Sequence, residues 1–367
     1  MRDPFREGLA AGWQYIDASE LTADKELEAD VVVVGSGAGG GVTAELLTRA
    51  GLKVLIIEEG PLRTTRDFQM KEAEAYPQLY QESASRKTAD KAINILQGRC
   101  VGGSTTVNWT SSFRTPPTTL NWWQSAHGLK SLSVEAMAPW FLMMERRLNV
   151  SRWSHDPNEN NAALARGATK LGIPIEVIPR NVKGCWNLGY CGMGCPTNAK
   201  QSMLLTTIPN SLFLGAMLVS RLRAERLEIS GNQIKSLKCV ALKVDGLNTS
   251  GINVTVRARH FVLAGGAINS PAMLLRSKAP DPHSLLGKRT FLHPTLVSSG
   301  LFEQAINGYS GAPQSIYSDH FLDNVPLNGP LGFKLEVPPL HPVLFSPTLQ
   351  GFGEAHTKLM KNFTNSQ

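Results

Sequence analysis

Three groups of residues have the types and spacing that chemistry can use. Gly35-Ser36-Gly37-Ala38-Gly39-Gly40 has the form G-x-G-x-x-G, and the acid Glu58 follows about 20 residues on. Glycines at Gly35, Gly37 and Gly40 allow, in turn, a tight bend, approach of a pyrophosphate to the backbone, and close packing of a helix on a strand. Glu58 stands where such sites keep an acceptor for a ribose hydroxyl. The chemistry would be the holding of a dinucleotide, with NAD and FAD both open at this point.

The second group is Gln97-Gly98-Arg99-Cys100-Val101-Gly102-Gly103-Ser104-Thr105-Thr106-Val107-Asn108. Paired glycines beside Ser and Thr leave backbone donors without a Cβ in front of them, which suits a flat or anionic ligand. Read alone, the same residues also make a plain turn. The third group is Cys185, Cys191 and Cys195, set among glycines and closed by Pro196. This spacing could wrap a soft iron–sulfur centre. The paired C-x-x-C spacing of zinc sites is missing. A glycine-rich loop with buried thiols or one disulfide is the alternative.

These residues need elements to position them. Val31 to Val34 is a run of β-branched residues, as in a parallel strand buried on both faces. An apolar helical pattern follows through Leu47, and Lys53 to Glu58 reads as the next strand. Residues 61–95 are polar, with Pro61 and Pro77 as breakers, and read as an excursion away from the sheet. Helices are expected over 134–148 and 158–171, with Trp122, Trp123, Trp140 and Phe141 as core rings. From Leu212 the chain turns strand-rich, and the alternating segments at 227–229, 238–244 and 252–256 suggest a small inserted antiparallel sheet. His260 to Leu275 repeats strand, small-residue turn and helix, with Ser270 as expected N-cap and Pro271 at N1.

Composition narrows the class. A chain of 367 residues with 42% hydrophobic and 18% charged content can bury a large core and divide into two domains. The net charge of +7 is spread without a Lys/Arg block, so neither a nucleic-acid nor a polybasic membrane surface is expected. The longest apolar run, Leu212 to Val219, is too short to span a bilayer. Five cysteines do not make a disulfide framework, and a reducing cytoplasmic location is the default, with peripheral attachment to the inner membrane as a variant.

Taken in order, these motifs resemble the glucose–methanol–choline (GMC) flavoprotein oxidoreductases. The glycine turn with Glu58 is similar to the family's FAD pyrophosphate and ribose site. Gly98 to Asn108 is similar to its first signature, and Ala264-Gly265-Gly266-Ala267-Ile268-Asn269-Ser270-Pro271 to its second. Gly287 and His293-Pro294 fall where the family has a Gly…His-Pro segment. The fold implied is α/β, a Rossmann-type FAD-binding domain with an inserted antiparallel-sheet substrate domain. The expected bounds are an N-terminal arm at 1–29, the FAD-binding domain at 30–295 and the start of the substrate domain at 296–367.

The resemblance implies FAD held by Gly35, Gly37, Gly40, Glu58, Arg99, Gly102, Gly103, Ser104, Asn108, Val219 and Gly265. Among these, Val219 would lie near the adenine, and Gly103 and Asn108 near the flavin ring. Cys185, Cys191 and Cys195 are similar in spacing to GMC dehydrogenases that carry an iron–sulfur cluster. The implied reaction is oxidation of an alcohol C–OH to a carbonyl, with a quinone, a cytochrome or O2 receiving the electrons. The family's C-terminal catalytic pair, a His followed later by His or Asn, has no match here, so no catalytic residue is assigned and the chain is expected to be an incomplete member. A catalytically incomplete FAD-binding fragment and a nicotinamide-dependent Rossmann dehydrogenase are the alternative functions.

Overall fold

The valine run forms the strand its composition predicts, and the rest of the sheet assembles around it. A computed structural model of the chain describes residues 2–323, 329 and 332–367. Lys25–Val34 runs beside Val54–Ile57, with Val31 opposite Val54 and Val34 opposite Ile57 in parallel register. Val32, Val33 and Ile56 are fully buried, which β-branched and aliphatic side chains on both faces of a central parallel strand require.

The chain divides into two units, Met1–Asn108 with Gly192–Thr295 and Trp109–Cys191 with Leu296–Gln367. In the first, seven strands form one sheet: β1 Gln14–Asp17, β2 Lys25–Val34, β3 Val54–Ile57, β4 Met217–Ser220, β5 Leu222–Ser230, β6 Gln233–Leu242 and β7 Thr249–Leu263. The spatial order is β1-β4-β3-β2-β7-β6-β5. The pairs from β1 to β7 are parallel, and β7–β6 and β6–β5 are antiparallel.

Several expectations are corrected here. Residues 1–29 are more than a surface arm: Gln14–Asp17 is the edge strand β1, and β2 already begins at Lys25. Residues 212–219 do not begin with strand: Thr207–Phe213 is a helix, and strand starts at Met217. The antiparallel strands are not a separate sheet, because the long β7 pairs with β6 on one edge and with β2 on the other. Leu227, Leu237, Cys239, Val254 and Val256 therefore share one core cluster with Val32, Leu55 and Ile57.

At the C-terminal ends of β2 and β7 the chain turns into two helices, α1 Ala38–Arg49 and α2 Gly266–Arg276. Gly265 caps α2, not Ser270. Ser270 lies inside the helix, and its hydroxyl Oγ accepts the Gly265 N–H at 3.0 Å; Pro271 is also internal. A serine that folds its hydroxyl back on the first turn does locally what an N-cap would do.

The second unit combines helices Pro117–His127, Val134–Arg147 and Glu159–Lys170 with a small antiparallel sheet of Glu176–Val177, Ile316–Ser318 and Leu335–Glu336. Its expected aromatic core is elsewhere: Trp122 and Trp140 are exposed, and Val134–Arg147 buries no residue. Its centre is Arg180, fully buried, which donates to Thr110 Oγ1 (2.7 Å), Pro313 O (2.9 Å) and Trp109 O (3.0 Å) and lies over the Trp153 ring. One guanidinium thus ties together three stretches distant in sequence.

Close packing of α1 on β2 depends on Gly40, where an added Cβ would sit 1.9 Å from Gly35 O. Gly40→Ala is expected to destabilise the chain by about 1–3 kcal/mol through overpacking against backbone, read as a lowered midpoint in chemical denaturation.

Candidate functional site: a cavity at the ends of the parallel strands

Three loops meet at the C-terminal ends of the parallel strands, where open α/β sheets bind their ligands. They are the turn after β2, the segment 97–108, and the turn after β7. Between them lies a cavity of about 520 Å³ lined in part by Gly35, Gly37, Glu58, Gly103, Ser104 and Gly265. That volume is in the range of small-molecule and cofactor sites.

The loops are locked by a buried carboxylate. Glu58, only 7% exposed, follows β3 directly and accepts Ser36 N (3.0 Å), Ser36 Oγ (2.6 Å) and Gly60 N (2.9 Å). Ser36 Oγ in turn accepts Gly102 N at 3.0 Å. Burial pushes the Glu58 carboxyl above its ordinary range, against the pull of the Ser36 and Gly60 donors. Gly103 takes φ +55°, and a Cβ there would lie 2.8 Å from Gly37 Cα, so the two glycine loops approach at backbone distance.

The lining fits a dinucleotide at the positions that matter. An added Cβ at Gly39 would meet nothing within 4 Å, and one at Gly37 only Gly103 Cα at 3.8 Å. Both glycines line the cavity, so side chains there would fill the space a pyrophosphate needs. The α1 N-terminus follows with Gly37 as N-cap, no side chain bonded to it and no acid in its first turn, leaving its N–H groups for an anion.

Other candidate residues are placed around the cavity, not in its lining. Gly40 packs beneath Gly35, and Gly102 is spent on Ser36. Arg99 pairs with Glu59 (3.1 Å) and donates to Gly246 O (2.5 Å), holding the 97–108 loop against the β6–β7 turn. Asn108 ends a helical turn, and its carbonyl accepts Lys200 Nζ at 2.6 Å. Val219 is buried between two strands, its carbonyl taken by Glu58 N, and Arg223 and Ala224 of β5 line the cavity in its stead.

Among the described residues no group of three or more His, Cys, Asp or Glu side chains is placed to hold a metal ion. Cys185, Cys191 and Cys195 are thiols engaged locally: Cys185 accepts Asn187 N and Cys191 accepts Arg180 Nη2, both in the second unit. Cys195, in the first unit, is within reach of Thr197 Oγ1 and Lys200 N at 3.5 Å. Burial raises the Cys195 thiol, but the Thr197 and Lys200 donors outweigh it and hold the thiol below its ordinary range. Cys100 and Cys239 are buried, and their thiols are pushed up by desolvation.

The excursion at 61–95 contributes no strand to the sheet, as the sequence suggests, and it still reaches the site, since Gln81 and Arg86 line the cavity. Gln81 N donates to Gln97 O, and Arg99 N to Leu79 O, so residues 79–99 double back as an irregular hairpin. Its first arm carries Glu82, Ser83 and Ala84 in succession at φ 51°, 54° and 64°. Left-handed backbone costs L-residues roughly 1–2 kcal/mol each. With no glycine to mark it, this turn has no sequence signal.

Fold and site together define a Rossmann-type protein with a cavity at the ends of its parallel strands. The GMC oxidoreductase family model matches residues 76–295, and a model of the NAD(P)-binding Rossmann-like domain matches 33–62. The chain belongs to the GMC oxidoreductase family. It is 31% identical over 290 residues to a long-chain-alcohol oxidase of Arabidopsis thaliana, covering 78% of this chain and 38% of that protein. It is 32% identical over 312 residues to an uncharacterised GMC-type oxidoreductase of Mycobacterium tuberculosis, covering 83% and 48%. The chain thus spans about half the length, or less, of these curated relatives. Pyridoxine 4-oxidase from Mesorbium loti shares the fold, with a TM-score of 0.56 at 19% identity over 79% of this chain and 62% of that one.

A carboxyl with a raised folded-state pKa favours the fold when protonated, so its contribution is full at low pH and is lost as pH rises from the unfolded to the folded value. Glu58→Gln removes that titration. The stability of the wild type minus that of Glu58→Gln is expected to fall as pH rises above the ordinary carboxylate range. Denaturant midpoints across pH check it, and a difference that is flat or rises with pH contradicts the buried environment of Glu58.

Proposed function

We propose that the cavity is an FAD site and that the chain is the cofactor-binding portion of an oxidoreductase acting on the C–OH group of an alcohol. The observation that supports it most is the backbone-distance approach of Gly103 to Gly37 beside a cavity lined by Glu58 and Gly265. A nicotinamide site needs the first glycine turn and its acid; a third wall made by Gly103 and Ser104 is what a flavin lying along that loop would require.

On this reading, Gly37 and Gly39 present bare backbone and the α1 N-terminus to the pyrophosphate. Glu58 lines the cavity while holding Ser36, so it offers its carboxylate to a ribose hydroxyl from a fixed position. Ser104 and Gly265 flank the remainder, and the buried Ser36–Glu58–Gly102 bonds keep the walls in place before anything binds. When bound, FAD supplies the hydride acceptor that converts an alcohol to a carbonyl. The alcohol class is taken from the plant relative's name, long-chain-alcohol oxidase. The electron acceptor is proposed to be O2, as in an oxidase.

The chain expressed and loaded with FAD is expected to retain about one flavin, with quenched or shifted flavin fluorescence. Gly39→Val should leave the fold intact, since that position is open, and abolish retention by filling the pyrophosphate space. A folded wild-type chain that takes up no flavin, but binds NADH, overturns the assignment in favour of a nicotinamide site.

A further inference from the structure

One charged side chain in the cavity wall takes no part in the Glu58–Ser36–Gly102 ties. Arg86, on the irregular hairpin, has a side chain only 16% exposed and lines the cavity. Its guanidinium is fixed by four acceptors: Glu82 Oε1 to Nε (2.9 Å), Gln97 Oε1 (2.8 Å) and Asn269 Oδ1 (3.3 Å) to Nη1, and Gln81 Oε1 to Nη2 (3.3 Å). A guanidinium has five N–H donors, so one on Nη2 has no acceptor among the described residues. Three of the four acceptors are neutral amides, which orient a cation without cancelling its charge.

The other cations of the wall are more open to solvent. Arg223, its side chain 36% exposed, pairs with Glu225 at 2.6 Å, and Arg276, an exposed residue, donates to the carbonyls of Glu225 and Ala224. Glu59 is matched by Arg99. Arg86 has a single carboxylate, Glu82, which is 59% exposed and lies outside the lining, where solvent weakens its hold. Glu82 also begins the left-handed stretch, so the chain accepts unfavourable backbone at the very residues that set Arg86 against the cavity.

We propose that Arg86 is a phosphate-binding residue, giving its charge and its remaining N–H to the diphosphate of the dinucleotide. This rests on the reading of the cavity as an FAD site. The diphosphate carries the cofactor's formal negative charge at neutral pH, and a fixed guanidinium is the side chain best shaped for it. The N-terminus of α1 and Arg86 would then be two separate sources of positive potential, one from backbone and one from a side chain.

FAD affinity of the apo chain, measured by flavin fluorescence titration, tests this. Arg86→Gln is expected to bind FAD roughly ten- to hundredfold more weakly, the range of one charge-assisted hydrogen bond. Glu82→Gln, at an exposed position, removes the competing carboxylate and is expected to bind FAD more tightly, by up to about fivefold. A purely structural role predicts that both variants weaken binding together, because both break the same network. Arg86→Gln with wild-type affinity, or Glu82→Gln with reduced affinity, overturns the proposal. If Arg86→Gln does not fold, the direction of the Glu82→Gln change decides. A folded wild-type chain that fails to bind FAD overturns the cavity assignment, and this inference with it.

Discussion

A carboxylate out of water is the constraint on which the first unit depends. Burying a charge costs several kcal/mol unless hydrogen bonds replace its hydration. Glu58 offsets part of that cost by accepting from Ser36 twice and from Gly60 once, and burial still outweighs these donors. The Ser36 hydroxyl donates to Glu58 and can accept in return, which it does from Gly102 N. The end of β3, the turn after β2 and the 97–108 loop are thereby joined through two side chains. Losing either would leave buried N–H groups without acceptors, which costs more than the bonds themselves contribute.

Around this tie, two kinds of restraint hold the walls. One is steric and uses the backbone alone: an added Cβ at Gly60 would meet Arg99 C at 2.2 Å, and one at Gly98 would meet Gly103 C at 2.7 Å. The other is polar: Arg99 bridges Glu59 and Gly246 O, Ser104 Oγ accepts Gly98 N, and Ser270 Oγ accepts Gly265 N. Steric restraints bring chains together without donors or acceptors and suit the points of closest approach. Polar ones act at the rims, where side chains have room.

What could be read in the sequence follows from this division. The β2–turn–α1–β3 unit was legible because its signals are local: β-branched strands, glycines at fixed offsets and an acid at the expected distance. The long-range ordering of β1 and β7 was not, because a strand of four residues such as Gln14–Asp17 has no signal beyond its aromatic and aliphatic content. Val219 is placed near the adenine by the family resemblance; in the structure it lies within a parallel strand, and the chain joins the cavity lining from Leu222 to Glu225, where β5 begins. Trp140 was assigned to a core by its side chain, but a helix that buries nothing overrides residue type. Arg86 escaped notice because its position is set by left-handed backbone at Glu82, Ser83 and Ala84, residues with no preference for it.

Because the walls are separate stretches of chain held by a few buried bonds, occupancy and wall stability are one free energy. A ligand that binds only the assembled cavity stabilises it by RT ln(1 + [L]/Kd), about 2.7 kcal/mol at a hundredfold excess over Kd. That is of the order of the penalty for one buried unsatisfied polar group. A substitution in the Glu58–Ser36–Gly102 network lowers the stability of the apo form, and the loaded form carries the same loss, because binding adds its increment to both. A substitution that only fills cavity space, as at Gly39, acts on the other part: the apo chain keeps its stability and the gain on loading disappears. The two classes of wall residue are distinguished by whether the apo stability or the gain on loading is lost, not by their distance from the cavity.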